Sequence, residues 1–353
     1  MTSNLAPRLL AVVATGVIAL TGCTGPIGDP GAGSAVKVAF LLPESKTARY
    51  ENFDRPYFVE KLESLGDYEV LYSNADQDAA KQQTQAEAAL VSGVSVLVLD
   101  PVDSAASANI VAAANAQGVP VIAYDRFISG GKLDYYVSFD NERIGELQGE
   151  ALVAKLEADG ATGGILMLNG SPTDANAPDF KAGAHTLIDA SGFEVLAEFD
   201  TPDWSPDKAQ EWVAGQITQY DGQFSAVYAA NDGTAGGAIA ALKAANVSPM
   251  PIVTGQDAEL TAIQRIVAGD QYATIYKPMR EQAELAAVIA DKLARGEEVT
   301  SEFEYEGTPA TLLGGEIVTI DNILQTVVAD GVYAVSDICT PAYAAACTAA
   351  GIK

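Results

Sequence analysis

The run Val94-Ser-Val-Leu-Val-Leu-Asp100 leads through the alanine-rich residues 105–117 to Val119-Pro-Val-Ile-Ala-Tyr-Asp-Arg126. Both outer runs are nearly continuous in apolar residues, as strands buried on two faces require, and the segment between them has helix-forming composition. Strand, helix, strand is the unit of a parallel sheet. The pattern extends in both directions. Strand-like runs occupy 36–42, 68–73 and 135–139 in the first half, and 164–168, 193–198, 226–230, 252–255 and 272–276 in the second. Helical segments lie at 78–91, 142–156 and 234–245. Five strands up to Phe139 and five beyond it predict two doubly wound α/β domains with parallel sheets. The 353 residues suffice for two cores, and 48% hydrophobic residues exclude a disordered chain.

The charge balance is 20 basic against 47 acidic side chains, a net −27. Nucleic acid and anionic membrane surfaces repel such a chain, so neutral or cationic partners are expected. A solvated acidic surface explains the same balance. Residues 1–22 read as a leader: Arg8 supplies one positive charge, and residues 9–20 form an uncharged apolar run too short to cross a bilayer. The run ends in Leu20-Thr21-Gly22-Cys23, which resembles the quartet at which bacterial lipoproteins are cleaved and lipidated on cysteine. Residues 23–35 are rich in Gly and Pro and read as a flexible linker. The expected location is extracytoplasmic, lipid-anchored through Cys23 to the outer face of the cytoplasmic membrane. Cys339 and Cys347 remain; an even pair in an exported chain reads as a local disulfide, with two free thiols as the alternative. His185 is the only histidine, which excludes histidine triads and multi-histidine metal sites. No catalytic residue, metal or cofactor is predicted.

Polar residues stand at the carboxyl ends of the predicted strands: Asp100, Asp125 with Arg126, Asn169, Asn231 with Asp232, and Asp257. Ligands of open α/β sheets bind outside these ends. Carboxylates and amides with few cations suit a neutral polyhydroxylated ligand, because each hydroxyl both donates and accepts. For any one of these residues, helix N-capping is the alternative. Gly233-Thr-Ala-Gly-Gly237 lacks phosphate-loop spacing and reads as a strand-to-helix turn. Trp212, within a predicted helix, reads as core.

Several motifs in fixed order carry a resemblance: Ala123-Tyr-Asp-Arg-Phe127, Tyr136-Val-Ser-Phe-Asp-Asn-Glu142, Gly170-Ser-Pro-Thr-Asp174, Asn231-Asp-Gly-Thr-Ala-Gly-Gly237, Thr254-Gly-Gln-Asp-Ala-Glu259 and Thr274-Ile-Tyr-Lys-Pro278. From Val36 onward the chain resembles the sugar-binding lipoproteins and periplasmic proteins of ABC importers, of type I binding-protein fold, and among them the D-xylose-binding proteins. The resemblance implies two lobes joined by three crossing strands near 138–140, 274–277 and 317–319. The N-terminal lobe would hold 36–138 and 277–317, the other 139–276 and 318–353. It also implies the sugar contacts. Arg49 and Tyr50 stand where the family usually has Arg-Trp, so Tyr50 is a departure with a smaller aromatic face. Asp125 and Arg126 would bond ring and hydroxyl oxygens, an intra-loop ion pair being the alternative. Asp174 and Asn176 survive from a frequent Asp-Asn-Asn, with Ala175 in the middle. Trp204, between two prolines, would stack on the sugar; Asn231, Asp257 and the hinge residue Lys277 would bond its hydroxyls.

The implied mechanism is hinge closure around one monosaccharide, D-xylose first, followed by delivery to the membrane subunits of an ABC permease. The first lobe would offer Arg49, Asp125 and Arg126, and the second Asp174, Asn176, Trp204, Asn231 and Asp257. The protein is expected to be a monomer that binds no nucleic acid. Alternatives are a broad aldose-binding protein for glucose, galactose or arabinose, and a sugar sensor presenting ligand to a receptor. An enzyme using Asp125 and Asp257 as acid and base is disfavoured, since Arg126 keeps Asp125 ionised and no Gly-x-Ser-x-Gly motif appears.

Overall fold

The computed structural model describes residues 35–353; the predicted leader, Cys23 and linker residues 24–34 lie outside the described residues. The strands are β1 (Val36–Leu42), β2 (Tyr68–Asn74), β3 (Val96–Leu99), β4 (Val121–Tyr124), β5 (Tyr135–Phe139), β6 (Gly164–Asn169), β7 (Val195–Asp200), β8 (Phe224–Ala229), β9 (Ile252–Val253), β10 (Thr274–Tyr276), β11 (Glu304–Tyr305), β12 (Thr308–Leu313) and β13 (Glu316–Val318). The helices are α1 (Arg55–Leu65), α2 (Ala79–Val91), α3 (Ala108–Ala116), α4 (Asn141–Ala158), α5 (Ala177–Ser191), α6 (Pro206–Gln219), α7 (Asp232–Ala244), α8 (Leu260–Ala268), α9 (Met279–Ala294), α10 (Val335–Ile338) and α11 (Ala344–Ala349).

Two sheets carry the architecture. The first has the order β11-β12-β5-β4-β3-β1-β2 and is parallel except for the β11–β12 hairpin. The second is parallel, with the order β7-β6-β8-β9. Strands such as β3 and β4 are buried along their whole length because helices cover both faces. On the first sheet, α1 and α9 bury Phe58, Leu62 and Ala286 against one face, while α2 and α3 bury Leu90 and Ile110 against the other. On the second, α4 and α5 cover one face and α6 and α7 the other. A further cluster joins α8 to the C-terminal segment, where Cys339 and Cys347 form a disulfide. A two-stranded antiparallel ribbon pairs β10 with β13, Thr274 opposite Val318 and Tyr276 opposite Glu316.

Some boundaries differ from the sequence reading. Helix α3 starts at Ala108 rather than Ala105, because the Asp103 carboxylate accepts from the Ala105 and Ala106 N–H groups (3.0 and 2.8 Å) and winds a separate turn first. The strand expected over 252–255 is two residues long. The first sheet also gains β11 and β12, which the apolar pattern did not suggest. Asp78 caps α2 through the Ala80 and Lys81 N–H groups. Trp212 is half-buried on α6 and stacks on Phe199, centroids 5.5 Å apart.

Candidate functional site

All ten residues expected to meet a sugar line one cavity: Arg49, Tyr50, Asp125, Arg126, Asp174, Asn176, Trp204, Asn231, Asp257 and Lys277. Its atom-free space, counted out to the open solvent at its mouth, is about 310 Å³. Its walls come from the carboxyl ends of strands of both sheets. Arg49 and Tyr50 follow β1, and Asp125 and Arg126 follow β4. Asp174 and Asn176 follow β6, Trp204 follows β7, Asn231 follows β8 and Asp257 follows β9. Lys277 directly follows the ribbon strand β10. Three of these residues sit in the left-handed region without being glycine: Asp125 (φ 61°), Trp204 (φ 51°) and Asp257 (φ 96°). Such strain collects where a fold must aim a side chain. Gly170 explains the place of the indole: a Cβ there would lie 2.3 Å from Trp204 Cη2, so the ring lies directly over the end of β6.

The cavity is built from crossed ion pairs. Arg49 donates to both oxygens of Asp54 (2.6 and 3.0 Å), to Asp125 Oδ1 (2.9 Å) and to Gln282 Oε1 (2.6 Å). Arg126 Nε lies 2.9 Å from Asp174 Oδ2 and 3.5 Å from Asp100 Oδ1. Its Nη1 donates to the Pro101 carbonyl (3.0 Å) and its Nη2 to the Tyr50 hydroxyl (3.1 Å). Lys277 Nζ lies 2.8 Å from Asp257 Oδ1 and 5.0 Å from the centre of the Phe139 ring. The intra-loop pairing of Asp125 with Arg126 is therefore not adopted; each faces a partner elsewhere in the cavity. The three expected cations, Arg49, Arg126 and Lys277, are each held by a carboxylate. Burial alone would raise the Asp125 pKa, but Arg49, Lys277 and Arg126 outweigh it and hold the carboxyl at about 2. A group so acidic is no proton donor near neutral pH. Burial raises Asp174 despite Arg126 beside it.

Several capping alternatives are now decided. Asn231 is the N-cap of α7: its Oδ1 accepts from the Thr234 N–H (2.8 Å), and the residue still lines the cavity. Asp125 and Asp257 cap no helix. The other strand-end residues turn away. Asp100 lies fully buried behind Arg126, and Asn169 donates to Glu198 and Asp200 on β7 (both 3.2 Å). Asp232 accepts from Gln271, Thr274 and the Glu259 N–H. Three further lining residues were not anticipated: Thr47, Phe180 and Gln256.

Direct contacts join the two walls. Asn176 Nδ2 donates to the Asp125 carbonyl (3.1 Å). The loop after β3 meets the loop after β6: Ser104 N–H donates to the Thr173 carbonyl (3.0 Å), and Ala175 N–H to Ser104 Oγ (3.1 Å). Ala48 N–H donates to Glu259 Oε1 (3.2 Å). Burial, with Asp232 and Asp257 nearby, pushes Glu259 up to about 8; burial likewise pushes Asp232 up to about 7.

A periplasmic binding protein domain model matches residues 38–298. A D-xylose-binding periplasmic protein of Escherichia coli is 36% identical over 331 residues, covering 91% of this chain and 98% of that protein. A multiple sugar-binding periplasmic receptor of Rhizobium radiobacter is 31% identical, covering 84% and 90%. The crystal structure of an ABC transporter solute-binding protein of Clostridium phytofermentans, with bound β-D-glucose, superposes with a TM-score of 0.78 at 28% identity, covering 86% and 99%. These relatives bind solutes and are not enzymes. With the type I fold, the strand-end cavity and this likeness along nearly its whole described length, the chain belongs to the periplasmic binding proteins, among the sugar-binding proteins of ABC transporters.

Proposed function

We propose that this protein is the extracytoplasmic, lipid-anchored binding component of an ABC importer, and that it holds one D-xylose molecule between two closing lobes and hands it to the permease. The observation that carries this reading is the charge balance of the cavity. Among the lining residues Arg49, Arg126 and Lys277 face Asp125, Asp174 and Asp257, and behind them Asp54 pairs with Arg49 and Asp100 stands 3.5 Å from Arg126. A neutral polyol can bond to these groups and leave the pairs compensated, whereas a charged ligand leaves an excess buried charge. The aromatic rings of Tyr50, Phe180 and Trp204 beside these polar groups suit the mixed apolar and hydroxylated faces of a sugar ring. The lobes are taken as 36–138 with 277–317, and 139–276 with 318–353. The sharing of β12 and α9 with the first sheet supports this division. The lipid anchor rests on Leu20-Thr21-Gly22-Cys23 alone.

The choice of D-xylose draws on the likeness to the E. coli protein. Tyr50, in place of the larger indole, and the glucose-bound structural neighbour favour a second reading, a broad aldose-binding protein. Calorimetric titration with D-xylose, D-glucose, L-arabinose, D-galactose and D-ribose decides between them. Xylose binding at least tenfold tighter than glucose is the expected result. Comparable binding of several aldoses supports the second reading, and no binding of any of the five by folded protein overturns both.

A further inference from the structure

Gln256 precedes Asp257 in the strand-end motif, yet nothing so far assigns it a task. Its backbone is held firmly. The Gln256 carbonyl accepts from the Asp232 N–H (2.9 Å), and on either side Gly255 N–H donates to Ala273 (3.0 Å) and Asp257 N–H to Ile275 (2.8 Å). The side chain is 2% exposed and lines the cavity. Its Oε1 is buried and has no hydrogen-bond partner among the described residues. The neighbouring amides differ. Asn176 Nδ2 is engaged by the Asp125 carbonyl, Asn231 Oδ1 by the α7 cap, and Gln282 by Arg49 and Asp125. The large majority of buried side-chain polar atoms in native proteins find partners, and of the orphaned amide oxygens among the described residues only that of Gln256 belongs to a residue lining this cavity. Here the protein supplies no donor, and the cavity is where one can arrive.

We propose that Gln256 is a ligand-contacting, specificity-determining residue whose side-chain carbonyl accepts a hydrogen bond from one hydroxyl of the bound sugar. This rests on the sugar-binding reading above. A neutral amide suits the task, because it reads a hydroxyl without adding charge to the ion-paired walls. It also discriminates: a sugar lacking that hydroxyl leaves the carbonyl unpaired, which is how a polar site rejects a deoxy analogue.

The test uses whichever of D-xylose and D-glucose binds the wild-type protein more tightly, together with its monodeoxy analogues. Each is titrated calorimetrically into wild type, Gln256→Met, which keeps the length and removes the acceptor, and Gln256→Ala. Wild type should lose about tenfold in affinity for the analogue lacking the hydroxyl that Gln256 reads. Gln256→Met should lose about the same factor for the parent sugar, and should bind that one analogue as well as wild type does. Parent-sugar affinity unchanged in both variants overturns the assignment, as does an equal loss for the parent and every analogue. Should the variants not fold, wild-type affinities that are equal for the parent sugar and all its monodeoxy analogues also overturn it. No binding of either sugar by wild type instead overturns the sugar reading beneath it.

Discussion

Trp204 is buried at 5% exposure, its Nε1 donates to Asp174 (3.0 Å), and its ring meets Phe180 edge to face. In the proposed site, an indole so fixed would offer its apolar face to the C–H face of a pyranose. Trp204→Ala should weaken sugar binding by about tenfold or more, from lost stacking and a freed Asp174, with the fold intact by circular dichroism. Unchanged affinity would remove the indole from the site. At this scale the sequence was most legible where a residue belonged to a motif, and all ten expected residues reach the cavity. Phe180 was readable in principle, since it stands one helical turn after Asn176 on the same face. Thr47 lies in an aperiodic loop and gave no signal. Asp100, Asn169 and Asp232 look like ligands in sequence because a strand end marks the position of a side chain and not its direction. Neighbouring carboxylates and cations decide that direction, and they come from distant parts of the chain.

The elements were legible wherever an apolar run was long. Strands β1 and β5 match the reading residue for residue. The β11–β12 hairpin escaped it, because Glu304–Tyr305 is too short for a periodicity and β12 contains a proline. Its place on the edge of the first sheet is set by pairing with β5, a contact between residues far apart in sequence. The packing of α4 on α5 is closer than any pattern announces: a Cβ on Gly183 would stand 2.0 Å from the Glu142 carbonyl oxygen, backbone against backbone. Neither side can yield, and α5 begins directly after the Asp174–Asn176 loop. Gly183→Ala should therefore destabilise the protein by about 1–3 kcal/mol and weaken sugar binding. Gly215 on α6 is the opposite case, exposed and with no atom within 4 Å of an added Cβ. Gly215→Ala should stabilise by about 1 kcal/mol with binding unchanged. Thermal melts of both variants check the pair, and equal shifts of one sign would refute the packing argument.

Across the whole molecule, the proposed closure carries a proton with it. Glu259 touches the opposite wall through the Ala48 N–H, and its pKa of about 8 belongs to the form with both walls in contact. Parting the walls in the proposed open form would expose Glu259 to water and lower its pKa towards the ordinary value of roughly 4.3, while Asp232 and Asp257 stay beside it. The raised value means that the closed form binds the proton more tightly, so closure takes one up between those two pH values. Sugar affinity is then greatest at acid pH and declines as pH rises towards 8. Asp232, at about 7, is enclosed by Gln271, Thr274 and the Glu259 N–H and makes no contact with the opposite wall among these hydrogen bonds. Titrations at pH 7 in buffers of different ionisation enthalpy should report close to one proton taken up per sugar, and Glu259→Gln should abolish it; binding heats identical in every buffer would refute the link. The topology has a consequence of another kind. Because β12 lies between β11 and β5, the first sheet lacks an internal strand until residue 313 has been synthesised. The first sheet cannot be excised as a continuous fragment, and a ribosome must make most of the chain before that first-born sheet can finish folding. A nascent chain of this design stays unfinished for a long time, which is the state in which a polypeptide can still be threaded through a membrane pore.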